Sequence, residues 1–407
     1  MARWYIGIDW SDQEHAVWVG NEAGECMEQR VVEEAAEELS DFGRWLHERS
    51  NADIELWAAI EKPHGRIVEF LLDHNVVVYP VNPKSLDRAR DRFRTSGSKS
   101  DRFDARVLAE FLRTDHGHLR PLRPSSPEAQ ELKLLTRDHR RLVKHQTRLV
   151  NQLVATLKEF YPLALEVFPD VSAARALDFL EAYPSPGATQ QMDAADGEGF
   201  AREHRLGEAQ RQKLEEALRQ PRPRVPAHVE RAKGRLVRAL VAQLRVVVRE
   251  VEEYTREVER FFVAMPLAEV ACSLPGGKSG TTVPALWAEL GDALDRWETF
   301  QHLQAEAGAI PVTQQSGKHE AVLFRFACNK HLRHAVTQLA FISLRLSEWA
   351  RAYYRQQRAR GHKHWHALRA LAAKWLKIIF IIWRDRVMYD EERHLATIAR
   401  QMFRQIA

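Results

Sequence analysis

Cysteine is scarce in this 407-residue chain: Cys26, Cys272 and Cys328 are odd in number and far apart. That excludes a disulfide scaffold and any cysteine zinc spacing, and it fits a reducing cytosol. Long hydrophobic runs are also missing. Residues 367–383 are apolar-rich but carry Arg369, Lys374 and Lys377. The uncharged piece from Ile378 to Trp383 is far shorter than the roughly 20 residues a bilayer span needs. Met1-Ala2-Arg3-Trp4 leads straight into a strand pattern without a signal peptide, so a cytoplasmic location and no membrane partner are expected. No internal repeat of fixed period is visible. Charge of one sign does not dominate, since 60 Lys+Arg face 56 Asp+Glu for a net +4. The pI of about 8.9 still leaves room for basic faces that suit a polyanion such as DNA or RNA; ordinary solvated surface is the plainer alternative. An apolar content of 45% is that of a globular protein, and the length suits two or three domains.

What is present is an ordered set of acids. Asp9 ends the apolar run Trp4-Tyr5-Ile6-Gly7-Ile8, and Glu61 ends Ile54-Glu55-Leu56-Trp57-Ala58-Ala59-Ile60. Asp101 and Asp104 open a helical stretch at i, i+3 spacing. Residues 1–32 read as three strands, 33–49 as a helix and 54–61 as a strand. A helix at 64–74, a strand at 76–81 and a helix beginning at Pro83 follow. The last of these is basic, with Lys84, Arg88, Arg90, Arg92 and Arg94. A strand meander followed by alternating helix and strand gives a mixed α/β sheet, and the order matches the ribonuclease H-like fold. Strand-end carboxylates on neighbouring strands, joined by two from a helix start, would repel one another unless cations sat between them. Hard divalent ions are their natural partners, and two such ions about 4 Å apart clamp a phosphodiester for cutting. A lone strand-end Asp is more often structural; the four in order favour a metal site.

The middle of the chain reads as helical. Leu132, Leu135, Leu142, Leu149, Leu153, Leu157 and Phe160 line one side of a long helix from 128 to 160. Arg137, Arg140, Arg141, Lys144, His145 and Arg148 crowd the others. A second long helix, 229–262, carries a heptad seam of Leu244, Val247, Val251, Tyr254, Val258 and Phe261. The two are expected to form an antiparallel pair or a coiled coil between subunits, with a plain bundle core as the bland reading. Residues 184–199, rich in Pro, Gly, Ala and Asp, are expected to be irregular, and the prolines of 219–226 mark a break. From 264 onward a mostly helical domain is expected. Its Pro275-Gly276-Gly277-Lys278-Ser279-Gly280 lacks Walker spacing and reads as a helix-hairpin-helix-like phosphate contact or a simple connecting turn. His362, His364 and His366 read as a basic surface turn. Ser316, in Gln315-Ser316-Gly317-Lys318, is by itself an ordinary turn residue; Thr313 and Ser279 are rival hydroxyls.

Taken together these landmarks resemble a known family, the DEDD transposases of the insertion sequence one-ten group, the bridge-RNA-guided recombinases. The N-terminal resemblance rests on Ile6-Gly7-Ile8-Asp9, Glu61, Val81-Asn82-Pro83 and Lys99-Ser100-Asp101-Arg102-Phe103-Asp104-Ala105. The C-terminal one rests on Leu274-Pro275-Gly276, Ala288-Glu289-Leu290-Gly291-Asp292, Gly308 to Pro311, Ser316-Gly317 and Asn329-Lys330-His331-Leu332-Arg333. Gly277-Lys278 and Ala309-Ile310 depart from the family's usual turns, and 163–226 is long for it. The resemblance implies a RuvC-like domain over 1–120 and a helical, coiled-coil region over 127–263 with an irregular insertion near 163–226. A C-terminal transposase domain over 264–407 completes it. It implies Mg2+, with Mn2+ as the alternative ion, on Asp9, Glu61, Asp101 and Asp104, and Ser316 as the nucleophile. It further implies donor and target DNA and a structured guide (bridge) RNA as partners. A homodimer or homotetramer, nucleoid-associated on DNA, would form. The competing function is a RuvC-like metal-dependent nuclease or Holliday-junction resolvase without a covalent serine intermediate.

Overall fold

The computed structural model describes residues 2–50, 54–61, 65–93, 100–123, 125–219, 225–293, 296–316 and 319–397, with the backbone alone at Ser316 and His319. The chain divides into two compact units, Met1–Pro124 and Ser125–Ala407.

The N-terminal unit is a mixed five-stranded sheet. Strands β1 (Ala2–Trp10), β2 (Glu14–Gly20) and β3 (Cys26–Glu33) form the expected meander, each antiparallel to the one before. Helix α1 (Ala36–Ser50) leads to β4 (Ile54–Ile60), which runs parallel to β1. Helix α2 (Arg66–Asp73) leads to β5 (Val77–Pro80), parallel to β4. The sheet order is β3-β2-β1-β4-β5. Helices α3 (Pro83–Asp91) and α4 (Asp101–Asp115) complete the unit. Asn82 and Ser100 cap them, accepting from the N–H groups of Lys84 and Phe103.

Side chains alternate across a strand with a period of two, and both faces of this sheet are covered. Ile6, Ile8, Leu56 and Ile60 pack with Phe42, Leu46, Ile67 and Leu71 of α1 and α2. On the opposite face Tyr5, Ala59 and Tyr79 pack with Leu86, Leu108 and Leu112 of α3 and α4. Gly7 sits on that second face, where a Cβ would lie 1.8 Å from the Ala105 carbonyl oxygen. Only hydrogen at this position lets α4 lie so close to β1. Strand–helix proximity around Gly7 therefore depends on one residue, and it places the start of α4 over the end of β1.

Among the described residues the regular elements of the C-terminal unit are helices apart from one hairpin. Its longest helices, α5 (Pro127–Phe160) and α11 (Ala227–Val263), lie antiparallel. Lys233 of one pairs with Glu159 of the other, and farther along His139 Nε2 meets Thr255 Oγ1 at 3.1 Å. Leu244, Val247 and Val258 of the heptad seam are buried; at its end Phe261 is partly buried against the core and its neighbour Phe262 is fully buried in it. Between these helices come α6 (Leu163–Val167), α7 (Ala174–Ala182), α8 (Pro186–Thr189), α9 (Ala194–Glu203) and α10 (Glu208–Arg219). They share a core with the pair around Leu153, Leu157, Phe168, Phe179, Val237 and Leu244. The expectation of irregular chain at 184–199 is thus corrected. Ser185 caps α8 ahead of Pro186, and Asp193 with Asp196 forms a reciprocal capping box on α9. The Pro and Asp content that suggested irregular chain is helix-start chemistry.

Helices α12 (Ala268–Cys272), α13 (Thr282–Leu290) and α14 (Phe300–Glu306) follow. Then come strands β6 (Val312–Ser316) and β7 (His319–Leu323), an antiparallel hairpin in which Ser316 pairs with His319. Helices α15 (Lys330–Leu346), α16 (Glu348–Ala359) and α17 (His364–Asp385) follow, and residues 391–397 are helical as well. Trp375, Trp383, Leu339, Leu286 and Ile379 centre this second core, which takes in Leu132 and Phe262 from the far ends of α5 and α11. Among the described residues no helix is long and apolar enough to cross a membrane.

Candidate active site

Parity and register bring the N-terminal acids to one place. Tyr5, Gly7 and Asp9 point to the α4 face of the sheet, as Trp57, Ala59 and Glu61 do on the neighbouring strand. Ile8 is opposite Ile60 in the parallel β1–β4 register, so Asp9 and Glu61 leave adjacent strand ends side by side. Helix α4 begins over those ends, contributing Asp101 and Asp104 from its first turn. The other three carboxylates act on Asp9. Burial first, then Asp104, Asp101 and Glu61, push its pKa from 3.8 to about 6, while Arg90 pulls the other way.

The fourth acid is held differently. Asp104 is 6% exposed and takes a two-pronged grip from Arg90, Nε to Oδ1 at 2.7 Å and Nη2 to Oδ2 at 2.7 Å. Hydrogen bonds to Asp104 raise the Arg90 pKa, against burial. Arg90 also pairs with Asp87 one turn back on α3. Arg90 reads in the sequence as one of a row of basic residues on this helix; among the described residues it is the cation that pairs inside the acidic group. Among the described residues no three His, Cys, Asp or Glu side chains converge closely enough to hold an ion between them. The four oxygen-donor carboxylates nonetheless have the composition a hard divalent cation requires.

The C-terminal candidates fall elsewhere. The backbone places Ser316 at the tip of β6, opposite His319, with Gly317 and Lys318 outside the described residues. Thr313 is exposed in mid-strand opposite Val322, and Ser279 is exposed in the loop before α13. That loop is shaped by glycine. Gly276 has φ +76°, and a Cβ on Gly277 would lie 2.7 Å from the Cys272 backbone. One of its N–H groups, that of Gly280, is already donated to Glu259 at 2.5 Å. The three histidines are engaged locally: His362 stacks on His366 at 4.1 Å, and His364 Nδ1 meets the Tyr354 hydroxyl at 2.8 Å.

One constellation escaped sequence reasoning. Glu289, 2% exposed, accepts from Arg137 Nε at 2.7 Å and Nη2 at 2.9 Å, and from Asn329 Nδ2 at 2.8 Å. Burial alone would raise its pKa, but the Arg137 and Asn329 hydrogen bonds prevail and hold it below the ordinary carboxylate value. Asn329 also caps α15 through the N–H groups of His331 and Leu332. The pair ties α5, α13 and α15 together, so Arg137 is a structural cation and not a free surface one. The signal was available: a Glu inside the apolar stretch Leu286-Trp287-Ala288-Glu289-Leu290 must be paired.

Comparison with known proteins defines the class first. A family model for DEDD transposases, described as Transposase, matches residues 6–162, the stretch that carries the four acids. A second, described as Transposase IS116/IS110/IS902 family, matches residues 268–355. The chain is 30% identical over 404 residues to the mini-circle putative transposase for IS117 of Streptomyces coelicolor, covering 97% of each. It is 34% identical over 204 residues to the putative transposase y4uE of Sinorhizobium fredii, covering 50% of this chain and 57% of that one. It is 26% identical over 401 residues to the IS116 insertion-element protein of Streptomyces clavuligerus, covering 95% and 96%. The protein is a DNA transposase, an enzyme of a mobile element. It belongs to the IS110 family.

Proposed function

We propose that the N-terminal unit is a ribonuclease H-like, RuvC-type catalytic domain in which Asp9, Glu61, Asp101 and Asp104 bind Mg2+, or Mn2+ in its place. The sheet order with one antiparallel meander and two parallel additions supports the fold assignment. The observation that carries the site is the Asp9 carboxyl, raised to about 6 by burial and by the three other acids. When bound, the divalent ion would neutralise charge that builds on the phosphate during strand cleavage. Arg90 positions Asp104 from behind, and Gly7 sets the distance between the β1 end and α4.

In the same reading Ser316 is the nucleophile of the C-terminal transposase domain. Its hydroxyl oxygen bonds to phosphorus, the bond from phosphorus to one deoxyribose oxygen breaks, and the proton leaves to a base. The products are a phosphoserine ester and a free DNA hydroxyl, and the reverse exchange rejoins strands. The resemblance on which Ser316-Gly317 rests also supports a structured guide RNA that pairs with donor and target DNA. Assembly of the chain as a homodimer or homotetramer belongs to the same reading, as does a three-part organisation with the helical region 127–263 between the two domains. The experiment is DNA cleavage by the full chain with Mg2+ and the RNA that co-purifies with it. Asp9→Asn is expected to abolish cleavage, and Ser316→Ala to abolish the covalent protein–DNA adduct. Cleavage that survives in Ser316→Ala, with no adduct in the wild type, would make the enzyme a metal-dependent nuclease.

A further inference from the structure

A cavity of about 640 Å3 opens in the C-terminal unit between the hairpin and helices α14, α16 and α17. That volume lies within the roughly 300–1,000 Å3 typical of small-molecule sites. Its wall combines three aromatic rings, Phe300, Phe324 and Tyr353, with the cations Arg325, Arg369, Lys374 and Lys377. Among the described residues of the wall there is no carboxylate. The cations rest against the rings. Lys377 Nζ lies 5.0 Å from the Phe300 centroid, Lys374 Nζ 5.7 Å from Tyr353, and the Arg369 guanidinium 5.0 Å from Phe324. Arg333 covers Phe324 as well, at 4.6 Å. Arg325 Nε is buried and takes no hydrogen-bond partner. Gln304 and His366 are the other polar side chains of the wall, and the rest of it is apolar, with Ala309, Ile310, Pro311, Ala370 and Ala373 among its residues.

Four positive charges without a carboxylate among them leave a site that favours an anion. Rings and small apolar side chains favour a flat, weakly polar face. A nucleotide offers both, a phosphate and a base. In a duplex the base faces are stacked away, whereas an unpaired nucleotide exposes them to aromatic side chains and to guanidinium groups. We propose that this cavity receives an unpaired nucleotide, its base against Phe324 and Tyr353 and its phosphate among Arg325, Arg369 and Lys374. The cavity is built from residues of the C-terminal unit. The proposal rests on the reading of this chain as an enzyme that opens nucleic-acid strands. DNA and RNA present the same chemistry here, and the experiment separates them.

The test is binding of the full chain to a short single-stranded DNA, the same sequence in RNA, and the DNA duplex. Each strand carries one 2-aminopurine, and anisotropy and 2-aminopurine emission are read together. Lys374→Gln combined with Lys377→Gln changes two exposed residues and leaves the helix core intact. Each neutralised phosphate contributes about 0.7 to the salt slope of a single strand, and the cavity takes one, so the double variant should lose up to about 0.7 in slope. Phe324→Ala, on an exposed ring, should weaken single-strand binding about tenfold and alter the emission of the bound base. The duplex should be little affected by either change. A loss confined to the DNA strand assigns the cavity to DNA, and one confined to RNA assigns it to the guide. Wild-type single-strand binding in both variants would overturn the proposal. So would equal losses on strand and duplex, or displacement of the strand by an acidic peptide with no change in emission. Asp9→Asn should retain strand binding; if that variant also retains cleavage, the metal reading fails while the cavity result stands.

Discussion

Replacing Asp9 by Asn should make the metal-free protein more stable while removing its activity. The reasoning is electrostatic. In the fold the Asp9 carboxyl titrates at about 6, against 3.8 for a free Asp. A factor of ten in proton affinity is about 1.4 kcal/mol, so ionised Asp9, half-buried and partly screened by solvent, costs the folded state at most about 3 kcal/mol. Because the folded value is the higher one, the fold binds more protons than the unfolded chain between about pH 3.8 and 6. Stability therefore falls as pH rises through that window. An Asn has no such charge, so its advantage should be absent at pH 3.5, complete above pH 6.5 and at most about 3 kcal/mol. In the transition of a unit this size, that is on the order of 5–10 °C. The assay is thermal unfolding in EDTA across that pH range, followed by the same series in Mg2+. Magnesium at a thousand times its Kd should reverse the order, since it then adds about 4.1 kcal/mol to the wild type alone. If Asp9→Asn is no more stable than wild type in EDTA at pH 7.5, the acids do not repel one another and the argument fails.

Other perturbations probe the supports of the site. Gly7→Val should unfold the N-terminal unit or displace α4, seen as lost circular dichroism or exposed tryptophan, because even a Cβ would strike the Ala105 carbonyl. Glu289→Ala strands Arg137 beside a buried void and should cost about 3–5 kcal/mol in denaturant unfolding; a change under about 1 kcal/mol would mean the pair is not a tie between helices. Arg90→Gln removes the bidentate hold on Asp104 and should weaken Mg2+ binding while leaving the sheet folded, read by metal titration. Ser316→Ala should lose the covalent DNA adduct on a denaturing gel, whereas Thr313→Ala and Ser279→Ala should keep it.

Much of the N-terminal unit was legible in the sequence because its strands carry long apolar runs closed by turn residues. Asp9 and Glu61 announced themselves as charges at the ends of such runs, and strand parity then puts them on one face. What the sequence did not show was who neutralises whom. Arg90 reads as one of a row of basic residues until α3 is seen to pack beside α4, and Arg137 reads the same way until Glu289 is found beneath it. Those pairings join residues 14 and 152 positions apart, and no local pattern encodes them. Composition misled at 184–199, where Pro186 and Asp193 start helices. The hairpin was missed because Gln314 and Gln315 break the apolar alternation, although Gly317-Lys318 has the make-up of a two-residue turn.

The most direct test is calorimetric titration of Mg2+ into the full chain and into variants neutralised one at a time at Asp9, Glu61, Asp101 and Asp104. The account expects saturable binding in the wild type and a loss of at least tenfold in each variant. Magnesium binding that is indifferent to all four substitutions would contradict it.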